Sequence, residues 1–273
     1  MSKKLLITLI LISAFFLIAF YWAALTSFKP PSEVLTYPPS FITLNPTFEQ
    51  YGKLFTTADS IFLRYVGNTF MLCGLSISMV LIMSILGGYS LSKLTFRGSN
   101  IIFLVILSII MVPYQALLIP LYDLMSKLGL LDTIFGLSLI YATYFMPFCI
   151  FMMKNYFSSL PNTLRESALI DGASEIKILF KIHLPLSLPA IATVIVYVFL
   201  MTWNDFILSL IFTSSSEVRN IQVGIMNFAT SRFTQDWGLI NAGAIFSIIP
   251  SILVFLLLQK YYVEGMTSGS GKG

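Results

Sequence analysis

Charge is what this chain has least of. Only 10% of its 273 residues are Asp, Glu, Lys or Arg, while 57% are hydrophobic, a balance outside that of ordinary soluble domains. Histidine is almost absent, His183 being the only one. No His, Cys and carboxylate cluster has metal-ligand spacing, so neither a metal centre nor a cofactor is expected, and no catalytic constellation emerges. Cys73 and Cys149 both lie in apolar runs, where a thiol acts as a small hydrophobe; a disulfide is not supported. The formal charge of +4 comes without a clustered basic face, which argues against a nucleic-acid partner. The tail Gly269-Ser270-Gly271-Lys272 hints at a phosphate loop. Such a loop needs a glycine where Met266 stands, after a strand and opening a helix, so ATP is not bound by this motif.

What is there is apolar sequence in long uncharged runs: 5–28, 65–92, 98–122, 133–153, 182–204 and 237–259. Each supplies the roughly 20 residues that cross a hydrocarbon core of about 30 Å, whereas 206–216 is too short. The chain is therefore expected to be an all-α membrane protein with six transmembrane helices. The first run exceeds the 7–15 apolar residues of a signal peptide, which favours an uncleaved helix. An internal N-terminus places Lys3, Lys4, Lys93, Arg97, Lys154, Arg165, Lys177, Lys181, Lys260 and Lys272 inside, and Lys29, Lys53, Arg64, Lys127, Arg219 and Arg232 outside. That majority predicts both termini in the cytoplasm.

Details along the chain refine this layout. Residues 28–64 hold five prolines and read as an extended external loop rather than helix. The second helix is rich in Gly74, Ser76, Ser78, Ser84, Gly87 and Gly88, a face for close helix packing in lipid. Pro113 near the middle of the third helix predicts a kink. Trp203, at the outer end of the fifth helix, reads as an interfacial anchor, and 213–236 as a polar outer loop before a sixth helix over 238–258. Ion-coupled carriers usually keep ionisable groups inside the bundle. None lies mid-run here, Asp205 being near an end, so energy for uphill movement must enter from another subunit.

The port for that energy is the polar stretch 160–189, LPNTLRESALIDGASEIKILFKIHLPLSLP, between two apolar runs. It reads as two short helices with a hinge. Pro161 suits a first helical turn, Gly172 a left-handed helix end and Ser174 the cap of the next helix. Glu175 follows in that helix's positive first turn. Ile176, Leu179, Phe180 and His183 fall on one face, with His183 at the interface.

This stretch resembles the EAA loop of binding-protein-dependent ABC importer permeases: Glu166, Ser167 and Ala168, then Gly172, Ile182, Leu184 and Pro185 stand at the family's spacing. Ser167 replaces the family's first alanine, small for small. Further likenesses are Tyr89-Ser90-Leu91-Ser92-Lys93, Gly129-Leu130-Leu131-Asp132-Thr133, Trp203-Asn204-Asp205-Phe206 and the tail from Val263. They narrow the resemblance to the carbohydrate branch, on the side of the smaller maltose-type permease. The resemblance implies a type I importer permease fold in a bacterial or archaeal cytoplasmic membrane and a non-enzymatic channel half without cofactor. Its implied partners are a second homologous permease, two copies of a cytoplasmic ABC ATPase, an extracellular sugar-binding protein and membrane lipid. Carried over residue by residue, Glu166, Ser167, Ala168, Asp171, Gly172, Ala173 and Ser174 would form the ATPase-coupling surface. Thr234, Gln235, Asp236, Trp237 and Gly238 would meet the binding protein. The implied organisation is a first helix with its Pro-rich loop over 1–64, a five-helix domain over 65–259 holding the coupling loop 154–184, and a short tail over 260–273. A polyamine or glycerol phosphate as cargo, and a stand-alone secondary carrier, remain alternatives. No sugar-contacting residue is singled out where 15% of the chain is aromatic.

Overall fold

A computed structural model describes residues 3–56, 61–229 and 236–267. Among them every regular element is helical: α1 Lys3–Phe28, α2 Pro31–Val34, α3 Glu49–Thr56, α4 Ile61–Lys93, α5 Ser99–Ile110, α6 Tyr114–Lys127 and α7 Ile134–Ser159. The second half holds α8 Thr163–Ile170, α9 Glu175–Ile178, a π-helical turn Leu179–His183, α10 Leu184–Leu186, α11 Leu188–Trp203, α12 Ile207–Phe212, α13 Ile221–Ala229 and α14 Trp237–Thr267. Helices α1, α4, α7 and α14 are each long and apolar enough to cross a membrane unbroken. Two bent pairs, α5 with α6 (97°) and Glu175–Leu186 with α11 (77°), bring the possible spans to six.

The third predicted helix is broken rather than kinked. Pro113 has no N–H to continue the ladder and biases Val112 away from helical backbone. It sits at φ −66°, ψ 120° as the residue before α6, so the chain turns there and restarts. Proline also marks the other bend, with Pro185 in α10 and Pro189 opening α11.

Helices α4 and α7 form the centre of the bundle. Their close approach rests on Gly88: a Cβ there would lie 2.7 Å from the Met153 Cβ and 2.8 Å from the Lys154 backbone nitrogen. The expected small-residue packing face is thus present at this position. Around it Leu72, Val80, Tyr141, Phe145, Cys149, Val194 and Val198 form one buried cluster. A second, with Leu54, Phe62, Tyr65, Trp203, Ile221 and Leu239, joins α3, α4, α11, α13 and α14. Both cysteines are free and buried, as read. Helix α1 packs against α14 and α3 and exposes Leu5 to Tyr21 along most of its length, a surface suited to hydrocarbon.

Three expectations change at the end of the bundle away from the 160–189 loop. Trp203 is not an interfacial anchor: it is fully buried, stacked on Phe199, and its Nε1–H donates to the Ser247 carbonyl at 2.9 Å. The α11 helix ends at Trp203, and this last side chain turns into α14 rather than outward. Residues 213–236 are not simply loop, because α13 tucks Ile221, Val223 and Ile225 into the bundle. Asn220 caps α13 by accepting from the Val223 N–H at 3.0 Å, and the Ile221 N–H donates to Thr69 Oγ1 of α4 at 2.9 Å. The Pro-rich segment is not wholly extended either; α2 and α3 lie within it, and Phe28 and Thr47 close the stretch between by a 2.8 Å backbone bond. The last helix runs to Thr267, past the predicted end at 258, and 268–273 lie outside the described residues.

Two carboxylates fasten this end. Asp205 accepts from the Tyr141 hydroxyl at 2.7 Å and from the Ser209 amide at 3.0 Å, holding the break between α11 and α12 against α7. Asp132 Oδ1 accepts from the amides of Ser214 and Ser215 at 2.8 and 3.0 Å. Burial opposes its ionisation, but those two amides, the Ser215 hydroxyl and the Arg219 charge outweigh it and hold the carboxyl below the usual range.

Candidate functional site

The polar stretch between α7 and α11 projects at the end where α4 also terminates. Helix α7 closes at Ser159, and Leu160 turns to extended backbone at ψ 139°. Helix α8 begins at Thr163, two residues later than Pro161 suggested. The start of the loop is held from α4. Asn162 does not cap the helix, because its Oδ1 accepts from Lys93 Nζ at 2.7 Å, and the same ammonium donates to the Leu160 carbonyl at 2.7 Å.

The hinge forms as the sequence predicted. Gly172 has φ +76°, its N–H donates to the Leu169 carbonyl at 3.0 Å, and the Ala173 N–H donates to the Ala168 carbonyl at 2.9 Å. These are the two bonds of a Schellman motif, in which a left-handed residue lets the chain satisfy the last carbonyls of a helix. Ser174 Oγ then accepts from the Lys177 N–H at 3.4 Å to cap α9. The hinge is thus held by backbone bonds on one side and a side-chain cap on the other.

Of the seven residues assigned to coupling, Glu166, Ser167, Asp171, Gly172 and Ser174 are exposed, Ala173 is half-buried and Ala168 is buried. Ala168 therefore shapes the tip from within. Beside them stand two exposed apolar side chains: Ile170, 86% exposed, which the sequence reading passed over, and Ile176, 71% exposed, which it placed only on the apolar face of the second short helix. Their signal was available, since large aliphatic residues exposed together in a polar stretch of such a chain suggest that something covers them.

The face predicted beyond Glu175 is split. Leu179 and His183 are buried while Ile176 and Phe180 are exposed, because the π turn over Leu179–His183 resets the helical register that a 3.6-residue period assumes. His183 is not interfacial but enclosed, edge-on to the rings of Tyr89 and Phe157 at 5.3 and 6.2 Å.

Glu175 has partners as well as a helix end. Its carboxylate is bridged by the Arg165 guanidinium of α8 through both Nε and Nη2, and Oε2 also accepts from the Tyr89 hydroxyl of α4 at 2.7 Å. Arg165 chiefly, with Tyr89, holds the Glu175 carboxyl below its ordinary value against a smaller opposing effect of burial. This arrangement went unread in the sequence. Its trace is an Arg and a Glu ten positions apart across a left-handed glycine.

The second assigned set is described only in part. Thr234 and Gln235 lie outside the described residues. Asp236 caps α14 by accepting from the Leu239 N–H at 3.0 Å, Trp237 is 42% exposed, and Gly238 is buried. Among the described residues no group of three or more His, Cys, Asp or Glu could hold a metal.

The sequence profile of the binding-protein-dependent transport system inner membrane component family matches residues 81–268, a span that includes the whole 160–189 loop. The chain belongs to this family. The trehalose/maltose transport system permease protein MalG of Thermococcus litoralis is 33% identical to this permease, with 98% of this chain and 96% of that one covered. The arabinooligosaccharides transport system permease protein AraQ of Bacillus subtilis is 32% identical over 96% of this chain and 93% of that protein. Among solved structures, a chain of a bacterial ABC transporter that imports the acidic polysaccharide alginate superposes with a TM-score of 0.83 at 26% identity, covering 96% of this permease and 99% of that chain. The fold is thus shared across nearly the full length.

Proposed function

We propose that this permease forms half of the channel of an ATP-driven importer for a sugar or oligosaccharide, and that it receives work at the 160–189 loop. The observation that carries the reading is the loop itself: a Schellman-held tip bearing exposed Glu166, Ile170 and Asp171 on a bundle otherwise fit for lipid. Such a tip suits a cleft on a cytoplasmic ABC ATPase, with apolar Ile170 and Ile176 supplying burial and the carboxylates supplying register. The names of the relatives, which concern trehalose, maltose, arabinooligosaccharides and alginate, support a carbohydrate cargo.

In this reading the chain crosses a bacterial or archaeal inner membrane six times, with α5 and α6 as one bent span and α11, entered from the cytoplasmic loop, as another. The loop end is cytoplasmic, and both termini lie there. That choice puts Lys93, Arg97, Lys154, Arg165, Lys177 and Lys181 on the inside, as retention of positive charge requires. A second, homologous permease completes the pathway, two ATPase copies take the two loops, and an external binding protein delivers the cargo near Asp236 and Trp237. Hydrolysis resides on the separate ATPase. ATP-driven closure of the ATPase pair displaces the tips, and a docked segment transmits motion only if its contacts differ between the two states.

Cysteine cross-linking tests this directly. An Asp171→Cys permease in inside-out vesicles, mixed with the ATPase carrying single cysteines along its cleft, is expected to form a cross-link that ATP alters. Labelling of the introduced thiol from the external face, or normal sugar uptake by this chain alone in liposomes, would refute it.

A further inference from the structure

The coupling loop is continuous with α7 and α11, but the side chains around it lead to a third helix. Tyr89 and Lys93 stand four residues apart in the last turns of α4, both buried, at 3% and 6% exposure. Lys93 reaches the start of the loop, donating to the Leu160 carbonyl and to Asn162 Oδ1. Tyr89 reaches its far arm, donating its hydroxyl to Glu175 Oε2. Glu175 in turn is bound by Arg165 of the near arm. The Arg165 and Glu175 side chains keep only 24% and 34% of their exposure, so neither is a freely solvated surface charge.

We infer that Glu175, bridged to Arg165 and Tyr89, is a positioning residue that closes the two arms of the loop into one body and fastens that body to α4. Displacement of the tip then moves α4 together with α7 and α11. The consequence is mechanical. Helix α4 is the close partner of α7 at Gly88, so a loop tied only to its flanking helices would shear that contact, whereas a loop tied to α4 carries both. Without the clamp, only Lys93 at the start of the loop still ties it to α4, so the tip and far arm can follow the ATPase while α4 lags, and ATP is hydrolysed with less sugar crossing.

Two chemical features separate this role from plain folding glue. Tyr89→Phe removes one oxygen but keeps the ring that sits edge-on to Phe157 at 5.8 Å and to His183 at 5.3 Å. Exchanging the charges of Arg165 and Glu175 keeps an ion pair between the two arms but removes the carboxylate that accepts from the Tyr89 hydroxyl. The inference rests on the docking reading above, and the experiment distinguishes the two. The complete transporter, with partner permease, ATPase and sugar-binding protein, is reconstituted in liposomes with normal permease, Tyr89→Phe, Glu175→Gln, Arg165→Glu, or the exchange R165E/E175R. Recovery of the ATPase with the permease and sugar moved per ATP hydrolysed are both read.

Tyr89→Phe and Glu175→Gln are expected to retain the ATPase while sugar per ATP falls about tenfold, the equilibrium weight of one hydrogen bond to a charged group. The exchange should regain the ATPase recovery that Arg165→Glu alone loses, because the arms are rejoined, but not the sugar moved per ATP, because Tyr89 has lost its carboxylate. Unchanged sugar per ATP in both Tyr89→Phe and Glu175→Gln, with the ATPase retained, overturns the clamp and leaves docking intact. Loss of the ATPase in Tyr89→Phe also overturns it, assigning these residues to loop folding. Failure of normal permease to recover the ATPase refutes docking, and the clamp with it.

Discussion

Replacing Gly172 with alanine, asparagine and proline in turn isolates the hinge as a conformational element. Nothing lies within 4 Å of a Cβ built at this position, so no steric clash attends any small side chain. The whole cost comes from the backbone at φ +76°. Left-handed backbone costs an ordinary L-residue roughly 1–2 kcal/mol, and asparagine is the non-glycine residue that tolerates it best. Gly172→Ala should therefore reduce the population of the docking tip by roughly 5- to 30-fold, at about 1.4 kcal/mol per factor of ten, and Gly172→Asn by clearly less. Proline fixes φ near −65° and removes the N–H that donates to Leu169, so Gly172→Pro should abolish the tip. The assay is titration of fluorescent ATPase onto the permease pair in nanodiscs, with circular dichroism as a control for the membrane helices. The predicted order of affinity is Gly, Asn, Ala, Pro. Equal affinity for the Ala and Asn variants, or normal affinity for Pro, would sink the argument.

The remaining expectations concern packing, burial and charge. Gly88→Ala should cost about 1–3 kcal/mol, because overpacking a core forces backbone shifts and two of the nearest atoms are backbone ones; a lowered melting temperature in detergent measures it. With Trp22 and Trp237 replaced by phenylalanine, Trp203 should emit at short wavelength and resist acrylamide quenching, since it is fully buried; ready quenching would restore the anchor reading. Because the Glu175 carboxyl is held below its ordinary range by Arg165, the pair stabilises the loop at neutral pH. That contribution is lost only as pH falls through the lowered value, so ATPase binding should persist through mildly acid pH in the normal protein. Glu166→Lys, at an exposed position of the tip, should weaken ATPase recovery without affecting membrane insertion, as pull-down from solubilised membranes would show.

How much was legible differs from element to element. The helices α1, α4, α7 and α14 followed from run length alone, since lipid demands that backbone polar groups be satisfied within the segment. Gly172 and Ser174 were read correctly because a left-handed helix end and a side-chain cap are local, settled within four residues. Pro113 was read as a kink and is a break. Proline fixes what the chain cannot do, while the angle it then takes is set by what packs against α6.

Trp203, His183 and Glu175 were misread or half-read for one shared reason. Each has a residue type with a common surface role, and each is claimed by a partner far away in the chain: Ser247 for Trp203, and Tyr89 for both His183 and Glu175. By itself the sequence determined that this is a helical membrane protein with a polar, hinged loop between two apolar runs, because hydrophobic length, turn chemistry and the scarcity of charge act over a few residues at a time. Only the tertiary structure decided that the loop is fastened to α4 and that a tryptophan at a helix end points inward. Those outcomes depend on which distant side chain arrives to satisfy a buried polar group, and no periodicity in one segment records the arrival of another.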